Sequence, residues 1–484
     1  MGKSNINIKY KCLGAGSGNV TGSAHLLEIK VNNKLTSILL DMGAIQDGKF
    51  STKQLFDMNR CDSDMSEIDH IIASHGHLDH IMNLCQVQRL DFDGNIYMTD
   101  MTLKLCEHIT EDGIKIHDKT VEYLSKSVKK GNITPYMNMR SRDYFLSRVR
   151  AYGYEKWIVI NDNIKFKFMA SGHISGSSMI YLEVQDGYEK QTILYTGDTS
   201  CNREIPFTMK PSIKGMKINH LITESTYSHV HIEQRTEDVI VEDLHRLIKS
   251  TCIEKKGDLL IPSFAMARST NLAYYLKKTY EKYPELNPIQ IYMASPLMNK
   301  CHNTLGSDSD FYDEKWKDEM DLFEWGKISQ LSEFKDVMAV SRRSEPKVWI
   351  SSSGMADKGI NSYLVSEIVK SRKNTIVFVG YCAEGTTGRK LIEGKQKTIT
   401  SNIDGEKKTV AIRARVENLT GMSSHASGKE IVETLETAEK KKLKTVIAVH
   451  GDKDRTESMC ELFQNKYKQN LNTYAPRIGQ SIKL

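Results

Sequence analysis

The chain has 484 residues, a formal net charge of +6, 39% apolar residues and 26% charged residues. That length exceeds what one hydrophobic core usually organises, so we expect two or three domains. The composition is that of an ordinary globular protein, and no stretch is apolar for long enough to predict a membrane span. The mild positive charge permits an anionic partner such as nucleic acid but does not require one.

Short apolar runs separated by turn residues predict strands through much of the first 200 residues, and a looser helical pattern fills 101–150. The predicted strands of this part lie at 6–13, 24–30, 36–40, 69–73, 157–160, 164–169, 178–183 and 192–196.

From about 215 to 385, short apolar runs alternate with longer helix-like stretches, which is typical of a parallel α/β sheet. Within this region the polar segment 306–345 is predicted to form a charged helical hairpin. The rest of the chain is predicted to contain strands at 409–416 and 444–449 and helices at 428–440 and 454–466.

The nine cysteines are scattered singly, without a Cys-x-x-Cys pair. An odd, unclustered set favours reduced thiols over a disulfide framework or a cysteine zinc site. We therefore expect a cytoplasmic protein.

The hexapeptide His75-Gly76-His77-Leu78-Asp79-His80 follows the apolar run 71–73 after one residue, Ser74. Imidazole nitrogens and carboxylate oxygens are ligands that zinc prefers, and a catalytic zinc keeps one coordination position open for water. One histidine near a strand end is more often a structural residue than a ligand. Three histidines and an aspartate within six positions are electrostatically awkward without a cation, so the hexapeptide predicts a metal site.

Further donors follow predicted strands or lie in turns of small residues. Each is weak evidence alone, because an acid at a strand end is equally typical of a turn cap. Their order along the chain is the stronger signal, and these donors are Asp41, His173, Asp198, Glu224, His425 and His450.

This order of motifs resembles the metallo-β-lactamase fold over nearly the whole chain. Four later motifs resemble its β-CASP branch, whose members include the endonuclease subunit of the cleavage and polyadenylation specificity factor and bacterial and archaeal relatives. These motifs are Glu224-Ser225-Thr226-Tyr227, Gly380-Tyr381-Cys382-Ala383-Glu384-Gly385-Thr386, Ser424-His425-Ala426 and Val449-His450-Gly451-Asp452.

The resemblance implies an α/β protein in which a four-layer αββα metallo-β-lactamase domain carries an inserted β-CASP domain with a parallel sheet. We expect the first domain to be discontinuous, with residues 1–208 and 392–484, and the inserted domain to span 209–391. The change of sequence rhythm near 215 and 385 agrees with these boundaries.

The resemblance also implies a ligand set for two zinc ions. One ion is expected on His75, His77 and His173, and the other on Asp79, His80 and His450. Asp198 is expected to lie between the two ions, and Asp41 behind the histidine loop.

The family chemistry implied is hydrolysis of RNA phosphodiester bonds by a hydroxide shared between two metal ions. Glu224 is expected to hold His425 as an imidazolium that protonates the leaving oxygen, and Asp79 is a candidate to orient or deprotonate the water. Backbone contacts to single-stranded RNA are expected from three basic residues, Arg268, Arg389 and Lys390.

Two other functions stay open on the sequence alone. DNA-repair nucleases of the same branch generally replace the last histidine by an aliphatic residue, so His450 favours RNA. A non-catalytic scaffold subunit of an RNA-processing complex would have lost several ligands, whereas every position is filled here. Internal and terminal cleavage are not distinguished, and neither are a homodimer and a subunit of a larger complex.

Overall fold

A computed structural model describes residues 5–45, 65–127, 135, 137–229, 235–357, 359–380, 382, 384–403, 406–439, 442–467 and 471–484. Tyr381 and Ala383 of the quoted glycine-containing motif lie outside these residues. The described helices do not include one that is long and apolar enough to cross a membrane.

The described strands form three large sheets and one hairpin. In chain order they are β1 (Ile6–Gly14), β2 (Ala24–Val31), β3 (Lys34–Leu40), β4 (His70–Ile72), β5 (Asn95–Thr99), β6 (Val149–Tyr152), β7 (Ile158–Asn161), β8 (Ile164–Ala170), β9 (Ser178–Gln185), β10 (Lys190–Tyr195), β11 (His220–Glu224), β12 (Leu259–Pro262), β13 (Gln290–Ala294), β14 (Ile328–Leu331), β15 (Lys347–Ser351), β16 (Thr375–Phe378), β17 (Thr398–Ile403), β18 (Glu406–Ala411), β19 (Arg415–Asn418), β20 (Thr445–Val449), β21 (Asn472–Tyr474) and β22 (Ser481–Lys483).

The described α-helices range from one turn to 28 residues. They are α1 (Leu78–Ile81), α2 (Asp100–Ser127), α3 (Met139–Ser147), α4 (Glu237–Ile248), α5 (Arg268–Lys282), α6 (Pro296–Leu305), α7 (Glu314–Lys317), α8 (Phe334–Ser341), α9 (Gly359–Ile368), α10 (Thr387–Glu393), α11 (Gly428–Leu435) and α12 (Lys453–Tyr467).

The chain divides into two compact units. The first comprises Met1–Ile232, Phe311–Asp313 and Ser424–Leu484, and the second comprises Glu233–Asp310 and Glu314–Ser423. The boundaries therefore fall after the predicted ones at 208 and 391. Strand β11 explains the first difference because it pairs with β10 and β20 of the first unit, and strand β19 explains the second because it pairs with β16 of the second unit.

The first unit contains two seven-stranded sheets, ordered β22-β1-β2-β3-β4-β5-β6 and β21-β20-β11-β10-β9-β8-β7. Alternating residues explain how the sheets pack: Phe166 and Phe168 of β8 point into the core, whereas Lys165 and Lys167 do not. One apolar core contains residues of both sheets, so the sheets pack face to face. Helices α11 and α12 cover the other face of the second sheet, and α2 contacts β5 and β6 of the first. These are the four predicted αββα layers.

The second unit contains a six-stranded sheet ordered β14-β13-β15-β12-β16-β19, in which every pairing is parallel. Its central strands β12, β15 and β16 are short and buried at every position, so both faces of the sheet are covered there. The predicted fold class is thus confirmed.

Two predictions of secondary structure are wrong. The segment 306–345 is not a helical hairpin, because Ile328–Leu331 forms strand β14 and pairs with β13 between helices α7 and α8. The segment 409–416 is not one strand. It is divided between β18, which pairs with β17, and β19, which pairs with β16. In both cases the pairing partner, which local composition does not report, decides the structure.

Candidate metal centre

The hexapeptide 75–80 lies where β4 gives way to the one-turn helix α1. His75 precedes the helix and is buried, His77 occupies its N-cap position, and Asp79 and His80 lie within it. One nitrogen each of His75, His77 and His173 and one oxygen of Asp198 lie within 4.8 Å of one another. These atoms form the first donor group.

The second donor group contains Asp79, His80 and His450, whose ligand atoms also lie within 4.8 Å of one another. Nε2 of His450 is 3.5 Å from Oδ2 of Asp79. The rings of His80 and His450 are stacked with centroids 5.2 Å apart. His80 comes from α1 and His450 directly follows β20, so the group joins the two sheets of the first unit.

Asp198, which follows β10, lies between the two groups. Its Oδ2 is 3.5 Å from Nε2 of His75 and 3.6 Å from Nε2 of His173. Its Oδ1 is 3.5 Å from Nε2 of His80 and 3.7 Å from Nε2 of His450. Each carboxylate oxygen therefore faces one donor group.

The spacing and chemistry of these atoms fit zinc. Two ligand atoms that are each about 2.1 Å from a zinc ion at a tetrahedral angle lie about 3.4 Å apart, close to the separations around Asp198. Among the described residues, three buried atoms that face the groups have no hydrogen-bond partner: Nε2 of His80, Oδ1 of Asp198 and Nε2 of His450. Leaving such atoms buried and unpaired is unfavourable, and a divalent cation would satisfy them.

Hydrogen bonds on the far side of the rings present the Nε2 atoms to these groups. When Nδ1 of a histidine donates to a neighbour, Nε2 keeps its lone pair for a metal. The contacts to Nδ1 are Ser74 Oγ at 3.0 Å for His75, the Ser424 carbonyl at 3.2 Å for His173, Asp41 Oδ2 at 2.7 Å for His80 and Thr226 Oγ1 at 3.1 Å for His450.

Burial and neighbouring charges set the protonation of the donors. Burial lowers the pKa of His77 to about 4 and holds the pKa values of His75 and His173 well below the ordinary range, so these three rings are neutral, the form in which imidazole can bind a metal. Burial opposes ionisation of Asp79, but the neighbouring His450 and the charge of His80 prevail and lower its pKa to about 2. The first donor group therefore combines three neutral imidazoles with the carboxylate of Asp198, a combination typical of zinc sites.

Asp41 supports the hexapeptide from behind. It directly follows β3, is fully buried, and bonds to Nδ1 of His80 as described above. The backbone N–H and the hydroxyl of Ser74 donate to its two oxygens at 2.6 and 2.7 Å, and the Tyr195 hydroxyl donates at 2.6 Å. Burial, reinforced by Asp41, raises the pKa of Tyr195 well above its ordinary value, so the hydroxyl remains a donor.

Glu224 and His425 form a pair beside the first donor group. Oε2 of Glu224 accepts a hydrogen bond from Nδ1 of His425 at 2.8 Å, and Oε1 accepts one from the backbone N–H of Thr199 at 2.6 Å. The His425 ring lies 4.5 Å, centroid to centroid, from that of His173. Although burial lowers the pKa of His425, the charge and hydrogen bond of Glu224 outweigh it and raise the pKa above its ordinary value.

The three basic residues predicted to contact RNA belong to the second unit. Nη1 of Arg268, at the start of α5, donates to the Val379 carbonyl at 2.7 Å. Arg389 lies in α10 and forms a 2.7 Å ion pair with Glu393, and Lys390 follows it. The RNA-binding role of these residues stays a prediction.

The sequence reasoning did not find Ser74, Tyr195, Thr199 and Thr226, all of which orient donors. Tyr195 ends an apolar run and Ser74 directly follows one. A residue at such a position is ordinarily expected to belong to the core. Their adjacency to the Thr196-Gly197-Asp198 and His75 motifs is the one signal by which they were detectable.

Gly43 holds the segment after β3 against the hexapeptide. Backbone hydrogen bonds join Met42 to His80 at 2.8 Å and Ala44 to Leu78 at 3.0 Å. A Cβ at Gly43 would lie 1.6 Å from the carbonyl oxygen of Asp79, so a side chain cannot be accommodated without moving the hexapeptide.

We expect Gly43→Ala to weaken zinc binding by at least about tenfold, because displaced ligands fit the ion less well. Binding is measured by competition with a chromogenic chelator. Gly326→Ala is the matched control, since its Cβ would meet nothing within 4 Å. Equal zinc affinity of the Gly43→Ala variant and the wild type would contradict the expectation.

Comparison with known proteins agrees with the fold. A model of the Beta-Casp domain matches residues 270–391, and a model described as the Zn-dependent metallo-hydrolase RNA specificity domain matches residues 409–476. Integrator complex subunit 11 of Gallus gallus is 26% identical over 486 residues, which cover 98% of this chain and 73% of that protein. Transcription termination factor FttA of Methanococcus maripaludis is 26% identical over 444 residues, covering 87% and 64%, respectively. Endoribonuclease YSH1 of Candida glabrata is 28% identical over 461 residues, which cover 92% of this chain and 55% of that protein.

The fold, the donor groups and the matched metallo-hydrolase domain define a metal-dependent hydrolase of the metallo-β-lactamase fold. The chain spans between 55% and 73% of the length of the three relatives named above. Within this class the chain is similar to β-CASP proteins, because residues 270–391 match the Beta-Casp domain.

Proposed function

We propose that this protein is a zinc-dependent ribonuclease that hydrolyses phosphodiester bonds of single-stranded RNA in RNA processing or decay. The observation that carries the proposal is the complete set of seven donor residues, Asp198 and the six around it, with the Glu224–His425 pair beside them. A non-catalytic scaffold has no need for a complete set. The matched RNA specificity domain and the relative named as an endoribonuclease favour RNA and internal cleavage.

Two zinc ions, one on each donor group, would supply a water of lowered pKa and an electrophile for the phosphoryl oxygen. His75, His77 and His173 would hold one ion and Asp79, His80 and His450 the other, with one oxygen of Asp198 directed at each. Asp79 is ionised at neutral pH, so its carboxylate also serves as an acceptor that orients the attacking water.

The Glu224–His425 pair supplies the proton for the leaving oxygen. Because Nδ1–H of His425 is held by Glu224, the proton to be transferred is that on Nε2. The hydrogen bond from Thr199 fixes the other carboxylate oxygen and therefore the direction of the pair. General acid catalysis by a positioned imidazolium contributes about 10²–10⁴-fold to rate.

Arg268, Arg389 and Lys390 of the second unit are proposed to contact the RNA backbone, since guanidinium and ammonium groups pair well with phosphate. Their substitution is expected to raise KM and to make the loss of binding with salt less steep, while leaving kcat little changed. One relative is named as a subunit of a complex, which supports assembly of this chain with other RNA-processing proteins.

The test uses RNAs labelled at either end and a DNA of matched sequence, each incubated with zinc-loaded protein. We expect the wild type to cut both RNAs at the same internal position, to leave the DNA intact and to lose activity with a chelator. Asp79→Ala should reduce the rate by at least about 10³-fold, since it removes a ligand and the water acceptor together. Asp162→Ala, which removes an exposed turn carboxylate, is the control and should cut like the wild type.

Intact RNA with the zinc-loaded wild type would refute the proposal, as would equal rates for wild type and Asp79→Ala. Preferential cleavage of the DNA would instead indicate a DNA nuclease of the same family. A ladder of RNA products that starts from one end would show that the cleavage is exonucleolytic and not internal.

A further inference from the structure

The carboxylate of Asp41 is saturated by buried donors. Oδ1 accepts from the backbone N–H of Ser74 at 2.6 Å, while Oδ2 receives the Ser74 hydroxyl, the Tyr195 hydroxyl and Nδ1–H of His80 within 2.7 Å. The exposed fraction of these four residues is at most 2%. A carboxylate held by so many short contacts has little freedom to rotate.

The three donors to Asp41 come from different parts of the first unit. Ser74 and His80 belong to the same sheet edge as Asp41, since they follow β4. Tyr195 ends β10 of the opposite sheet, three residues before Asp198. Among the contacts described for the Asp41 side chain, the Tyr195 hydroxyl is therefore the link to the sheet that carries Asp198.

Asp41 also has a backbone conformation that needs support. Its φ of +60° lies in the left-handed region, which residues other than glycine adopt rarely because their Cβ is crowded there. The hydrogen bonds on its side chain hold this conformation in place, and with it the direction in which the carboxylate meets His80.

We propose that Tyr195 is a positioning residue for the metal centre. Its hydroxyl fixes Asp41 relative to the second sheet, so that Asp41 accepts Nδ1–H of His80 and directs Nε2 of His80 toward Oδ1 of Asp198, where the second donor group would hold an ion. This inference rests on the zinc centre of the proposed function but not on its RNA substrate, because zinc binding can be measured without RNA.

Tyr195→Phe removes the hydroxyl and keeps the ring, which packs edge-to-face on His25 with centroids 5.4 Å apart. We expect the variant to bind zinc about 10–100-fold more weakly than the wild type, the usual effect of removing a group that orients a ligand. The measurement is competition of metal-free protein with a chromogenic chelator. The visible spectrum of the cobalt-substituted protein should also change, since it reports ligand geometry.

Tyr10→Phe is the matched control. Tyr10 is also fully buried, and its hydroxyl is hydrogen-bonded to Nδ1 of His25 at 2.9 Å rather than to Asp41. This variant should lose a comparable hydrogen bond but keep the zinc affinity and cobalt spectrum of the wild type. Circular dichroism and thermal melting of both metal-free variants report whether folding is retained.

A second comparison uses an Asp41→Asn background. If Tyr195 acts through Asp41, Tyr195→Phe should cause little further loss of zinc affinity there. Full additivity would overturn the inference, as would wild-type affinity in Tyr195→Phe or an equal loss in Tyr10→Phe. Failure of the wild type itself to bind zinc would overturn the proposed function together with this inference. Wild-type zinc affinity in Tyr195→Phe would overturn this inference alone, so the two failures are distinguishable.

Discussion

Asp198→Asn should abolish RNA cleavage and empty at least one of the two metal positions. The substitution preserves the size of the side chain but replaces one oxygen by an NH₂ group, which cannot bind a cation. That group would face either His75 and His173 or His80 and His450, whose nitrogens lie 3.5–3.7 Å from the carboxylate oxygens. We expect bound zinc to fall from two to one or fewer per chain and the cleavage rate to fall by at least about 10³-fold.

Zinc content is measured by elemental analysis after removal of free metal, and cleavage by initial rates on a labelled RNA. Asp162→Asn provides the control, because its exposed carboxylate follows strand β7 and contacts neither donor group. An Asp198→Asn protein with two bound zinc ions and more than a tenth of wild-type activity would show that Asp198 does not bridge the groups.

The architecture of the first unit explains why its donors could be found from the sequence. Asp41, His173, Asp198 and His450 each follow a strand within a few residues, and Glu224 ends one. Strands β8, β10, β11 and β20 run in the same direction in one sheet, so their carboxyl ends lie at one edge. Strands β3 and β4 are likewise parallel and place Asp41 beside the hexapeptide. The local sequence therefore showed each donor as a polar residue after an apolar run. The common direction of the strands explains why these donors lie close together in the structure.

The residues that the sequence did not reveal are those whose role depends on pairing or on a distant partner. Tyr195 reads as an ordinary end of an apolar strand, and its contact with Asp41 spans 154 positions. Strand β14 was missed because it has only four residues and two of them are polar. It is stabilised by pairing with β13, which the local sequence does not indicate. The domain boundaries differed for the same reason, since β11 and β19 are assigned by the sheets that they join.

Loss of the Glu224–His425 pair should slow cleavage without releasing zinc. Neither residue is needed to complete the two donor groups around Asp198, whereas their mutual 2.8 Å hydrogen bond prepares a proton donor. We expect His425→Ala and Glu224→Gln each to lower kcat by about 10²–10⁴-fold, with two zinc ions still bound. The double variant should be little worse than either single variant, because the two residues act as one unit.

An RNA with sulfur in place of the leaving oxygen separates proton donation from other roles of the pair. A thiolate leaves without protonation, so His425→Ala should recover most of its lost rate on this substrate, prepared with sulfur in either bridging position of the scissile phosphate. The Asp79→Ala variant should recover none, because its defect lies in metal binding and in orienting the water. Equal losses for His425→Ala on the oxygen and sulfur substrates would remove His425 from the role of general acid and leave the pair as a support for Asp198 and His173, its neighbours in the structure.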